Sequence, residues 1–170
     1  MTITEQIKHT LQTLYTLLDT VEENGGKPEG VCTSLKNAFR TELHTYLMYL
    51  SGADGKVSAE ESVFMNYLFD MNLSEADYAR FIRENSIYST DYENRVPITL
   101  QIVTEFDKKA QILSNLSGKS IDPISPIFLK FYADVGKAFI FCDGLEQNEV
   151  DEYQVYLNGI IEKLSARIPG

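Results

Sequence analysis

Two acidic turns, each an Asp-Gly pair set between apolar runs of helical period, constrain this chain more than any other feature. The first is Ala53-Asp54-Gly55-Lys56-Val57-Ser58-Ala59-Glu60-Glu61, and the second begins at Cys142-Asp143-Gly144. Stepping forward by the 89 residues that separate Asp54 from Asp143 aligns the two without a gap. Gly55 falls on Gly144, Glu60 on Glu149, Phe64 on Tyr153, Tyr67 on Tyr156 and Leu68 on Leu157. The chain therefore reads as two helix-turn-helix units of one kind, in halves of about 1–90 and 91–170, with the acidic turns expected side by side.

The remaining segments extend the helical pattern. Ile7, Leu11, Leu14, Leu18 and Val21 lay one apolar stripe along a helix from about Thr4 to Glu23, opened by the Thr2-Ile3-Thr4-Glu5 capping box. Gly25, Gly26 and Pro28 stop it. A second helix is expected from about Thr33 to Ser51 on Leu35, Phe39, Leu43, Tyr46, Leu47 and Leu50, and a third from Ser58 to about Asp70. Ser74 to Glu84 reads as a short helix with Tyr78, Phe81 and Ile82 as its apolar residues. The polar stretch Asn85 to Val96 then marks the seam between the halves. A helix from Pro97 to about Asn115 carries Leu100, Val103, Phe106, Ala110, Ile112 and Leu113. Ser125 is read as the cap and Pro126 as the first residue of the next, which runs on Phe128, Phe131, Tyr132, Val135, Phe139 and Cys142. The last spans about Asn148 to Leu164. With no period-2 run bounded by hairpin turns, the expectation is one all-α domain over 1–170 with about seven helices.

The size of the chain, 170 residues with 44% hydrophobic content, suits such a core. A formal charge of −10 repels phosphate backbones and anionic lipid heads, which leaves cations and other proteins as the expected partners and excludes nucleic acid and membrane. Glu5, Lys8 and His9 stand where a signal peptide needs its apolar stretch, so a cytoplasmic location is expected. Cys32 and Cys142 have neither the number nor the spacing of a disulfide framework or a zinc site, and both are expected reduced and buried. Asp54 to Ser58 lacks the alternating acids of an EF-hand loop. Gly118-Lys119-Ser120 has Leu113 where a P-loop needs its first glycine. His44 reads as a partly buried helix residue, and no nucleophile motif is present.

A helix, an Ala-Asp-Gly turn, a Ser-x-x-Glu start and a second apolar helix over Tyr46 to Phe69, with a degenerate copy over Phe139 to Leu164, resembles the TerB-like tellurite-resistance family. That resemblance implies an all-helical bundle in which paired acidic turns lie close together and bind a divalent metal, in stress-response or resistance systems. It points to Asp54, Glu60 or Glu61, Asp143 and Glu149. The second copy has Val150 where the first has Glu61, which departs from a symmetric site. Each acid also has a plain structural reading. Ser58-x-x-Glu61 is a capping box, and Glu60 and Glu149 gain from a helix N-terminus without any metal. Four converging carboxylates, however, cost free energy unless a cation or proton offsets them. An all-oxygen ligand set calls for a hard ion: calcium, magnesium or manganese. Tyr88 and Tyr92, alone among polar residues, are candidate partner contacts. The function expected is a non-catalytic, cation-binding, protein-docking module. The alternatives are a metal-dependent enzyme using the same carboxylates and a helical interaction domain with no metal.

Overall fold

The computed structural model describes residues 2–25, 33–51, 57–85, 96–118 and 122–142, together with Asn158. Among them the regular elements are six helices: α1 (Ile3–Glu23), α2 (Leu35–Ser51), α3 (Ala59–Phe69), α4 (Glu75–Asn85), α5 (Ile98–Ser117) and α6 (Ser125–Ile140). The all-α expectation holds for these residues. The helix expected over about Asn148 to Leu164 lies outside them, apart from a helical Asn158.

Three helices start on local capping boxes. At α1, Glu5 N donates to Thr2 Oγ1 at 3.1 Å and Thr2 N to Glu5 Oε2 at 2.7 Å. Ser58 and Glu61 repeat the exchange at α3, at 3.1 and 2.9 Å. Ser74 and Asp77 do so at α4, also at 3.1 and 2.9 Å. The starts of α5 and α6 differ, because Pro97 and Ile124 carry no side-chain acceptor. Carboxylates from other helices serve instead. Glu42 of α2 accepts from Thr99 N at 3.2 Å and from Thr99 Oγ1 at 2.8 Å. Asp107 of α5 accepts from Ile124 N and Ser125 N, each at 2.8 Å. This corrects the reading of Ser125 as a cap. Ile124 already has helical backbone angles, so Ser125 lies inside the helix, and its hydroxyl is buried without a hydrogen-bond partner among the described residues.

The hub of the molecule is α2, which packs on all five other described helices. Its C-terminal turns are apolar nearly all round, and Tyr46, Leu47, Met48, Tyr49 and Leu50 are all buried, as a helix enclosed by neighbours requires. Phe39 anchors the crossing with α6. Its ring meets Phe128 edge-on at 5.4 Å and Tyr132 at 6.1 Å, with Tyr15 of α1 on another side at 6.3 Å. Tyr46 Oη donates to the Tyr132 carbonyl at 3.1 Å, so this aromatic contact is also hydrogen-bonded.

Three apolar residues need correction. Ile112 and Leu113 are about as exposed as surface residues, at 60% and 61%. The inward face of α5 is Leu100, Val103, Thr104 and Asp107, and continuing its period leaves both outside it. Phe81 of α4 is likewise exposed at 41%, while Tyr78 is fully buried and Ile82 packs partly buried against the core from that helix. Cys142 is partly buried rather than buried, and Cys32 lies outside the described residues. Helix α3 ends at Asp70 in the left-handed region (φ 54°, ψ 48°), a conformation that aspartate tolerates better than most residues.

Candidate functional site

The site develops from the first turn of α3. Glu61 is buried there because Ser58-x-x-Glu61 folds its carboxylate back: Oε1 accepts the Ser58 amide, and the residue is 1% exposed. Glu60, one position earlier, is rotated about 100° round the helix and is exposed. It makes no hydrogen bond or ion pair with the described residues. The two adjacent glutamates thus separate, one spent on the backbone and one presented to solvent.

Glu60 and Ala59 border an open cavity of about 560 Å³, lined also by Val63, Phe64 and Tyr67 of α3, by Thr2, Thr4 and Glu5 at the start of α1, and by Cys142 just beyond α6. The contact that sets α3 against α6 is Phe64 on Phe139, edge-on at 5.6 Å. A second cavity of about 740 Å³ runs between α1 and α6 and shares Thr4, Phe64 and Cys142 with the first. The start of α3, the start of α1 and the end of α6 therefore share one end of the bundle.

Of the residues expected to form a site, Glu60 borders this cavity and Glu61 forms the cap. Asp54, Asp143, Glu149, Tyr88 and Tyr92 lie outside the described residues. Among the described residues no three of His, Cys, Asp or Glu gather closely enough to hold a metal. Glu60 is a carboxylate with no hydrogen bond or ion pair among the described residues, which fits a hard cation; the oxygen of Glu61 bound to the Ser58 amide does not.

Other ionisable groups were missed in the sequence. Glu42 is partly buried, and this desolvation raises its carboxyl pKa against the lowering effect of its bonds from Thr99. Asp107, 4% exposed, is spent on two backbone amides. A detectable signal existed for Asp107: it continues the stripe Leu100, Val103, Thr104 that forms the inner face of α5. The cations Lys8 and Arg40 end at the last carbonyls of α3. No helix of the described residues is long and apolar enough to cross a membrane. Compared with family models, with curated proteins and with solved structures, the chain matches none of them.

Proposed function

We propose that this chain is a TerB-like, non-catalytic helical module that binds a divalent cation between its two acidic turns and works by docking other proteins in a stress-response type of system. One observation carries the reading: Ala59 and Glu60, just after the first acidic turn, and Cys142, just before the second, border the same cavity. Asp143 is the next residue after Cys142, and Asp54 lies five positions before Ala59. Chain length alone keeps Asp54 within about 18 Å of Ala59. The duplicated pattern adds support. Advanced by 89 residues, α2 covers 124–140, and α6 spans Ser125–Ile140. Phe39 then maps onto Phe128, and those two rings touch. Contact between equivalent residues is what packing about an approximate two-fold axis produces.

Asp54, Asp143, Glu60 and Glu149 are the proposed ligands, with water completing the shell of a calcium, magnesium or manganese ion, and Glu61 remains a cap. Calorimetry with each of the three ions tests this. The wild type is expected to give a saturable heat with at least one ion, and Asp54→Asn combined with Asp143→Asn to abolish it while the helical circular dichroism is retained. A chelator is expected to lower the melting temperature without unfolding the chain, since binding to the folded state alone stabilises by mass action. Flat wild-type titrations with all three ions would overturn the cation site. For docking, Tyr88→Ala with Tyr92→Ala is expected to abolish partner capture at an unchanged melting temperature; a large loss of stability would assign both rings to the core.

A further inference from the structure

At the other end of α3, a polar cleft of about 630 Å³ opens between α1 and α2. Three cations converge on it in a chain whose formal charge is −10. Two of them have a structural cause. Lys8 Nζ donates to the Tyr67 carbonyl at 2.9 Å and meets Asp70 Oδ1 at 2.6 Å, and Arg40 Nη2 donates to the Phe69 carbonyl. Carbonyls at a helix C-terminus carry partial negative charge and attract such groups.

That account does not extend to Lys36. It stands one turn before Arg40 on the same face of α2, where like charges repel. Its ammonium lies 5.1 Å above the ring of Tyr15 and forms no ion pair among the described residues. Arg40 spends one N–H on Phe69, which leaves most of its guanidinium fork uncommitted. Tyr15 keeps its proton throughout the physiological range: burial pushes the phenol up to about 12, against the pull of Arg40 and with a small push from Asp70. Asp70 offsets Lys8, and Asp19 on the wall opposes one further charge, so the cleft retains one net positive charge.

We infer that this cleft is a phosphate subsite, in which Arg40 and Lys36 hold the phosphate group of a small molecule and the Tyr15 hydroxyl donates to it. Guanidinium and ammonium set on adjacent turns suit an anion with several acceptor oxygens. The volume exceeds that of phosphate alone, which leaves room for an organic portion beside the Tyr15 ring. The inference is separate from the acidic turns, and either can fail alone.

The test uses the whole chain and inorganic phosphate, with acetate and chloride at equal ionic strength as comparison arms, read by thermal shift and by calorimetry. Phosphate is expected to raise the melting temperature saturably and beyond either other anion. Lys36→Ala spares the end of α3 and is expected to weaken phosphate binding about tenfold, the loss of one charged hydrogen bond. Tyr15→Phe is expected to weaken it less. Three results would overturn the inference: a phosphate response no larger than that of chloride, an equal response to acetate, or undiminished binding by a folded Lys36→Ala.

Discussion

The His44 ring lies 4.7 Å from that of Phe69 and 5.5 Å from that of Tyr78, and its Nε2 is buried with no hydrogen-bond partner among the described residues. Burial, helped by the charge of Arg40, pushes its pKa down from 6.5 to about 4. Between those two pH values the unfolded chain takes up a proton that the folded chain refuses. The stability associated with neutral His44 is therefore fully present above pH 6.5 and is lost as the pH falls toward 4, on the order of 3 kcal/mol in all. Urea unfolding at pH 7.5 and 5.5 checks this, and His44→Leu is expected to flatten the difference. An unchanged slope in that variant would move the acid sensitivity to other groups. Glu42 acts in the opposite sense. Its raised carboxyl favours the folded state as the pH falls, and that gain is lost as the pH rises through the folded pKa, so Glu42→Gln, neutral at every pH, is expected to remove this dependence. Neither effect depends on an exposed charge, so moderate salt is expected to leave both in place.

Among the elements, the starts of α5 and α6 make the sharpest prediction. Asp107→Ala leaves one buried and one partly buried amide without an acceptor and is expected to cost about 2–4 kcal/mol, while Ser125→Ala, which removes an unbonded hydroxyl, is expected to stay within about 0.5 kcal/mol. Equal losses would restore Ser125 as the cap. The same contrast explains what the chain discloses before it is folded. Thr2 with Glu5, Ser58 with Glu61 and Ser74 with Asp77 are legible because both partners share one turn, three residues apart. Glu42 with Thr99 is not, since 57 residues intervene and no local spacing marks the pair. Apolar periodicity locates the stripes of α1 and α2 correctly, yet misplaces Ile112, Leu113 and Phe81, because an apolar residue marks an inner face only where a neighbour covers it. For the candidate site, the role of Glu61 is legible for the same local reason. The meeting of α3 with Cys142 depends on long-range packing, for which the 89-residue repeat is the only written sign.

For the whole molecule, Phe39 is the side chain on which α1, α2 and α6 converge, touching Tyr15, Phe128 and Tyr132. Phe39→Ala is expected to cost about 3–5 kcal/mol and to lower the urea midpoint without changing the slope of a two-state transition. A loss confined to one half, seen as two separate transitions, would instead mean that the repeats fold as independent units. The borrowed carboxylates have a consequence in time. Asp107 reaches the start of α6 across 17 or 18 residues, so α5 and α6 close a short loop and can pair early, while Glu42 must wait for a segment 57 residues downstream. Asp107 substitutions are therefore expected mainly to slow refolding, and Glu42 substitutions mainly to hasten unfolding. During synthesis Glu42 is added 57 residues before Thr99, so α2 first exists carrying a carboxylate whose partner has yet to be made.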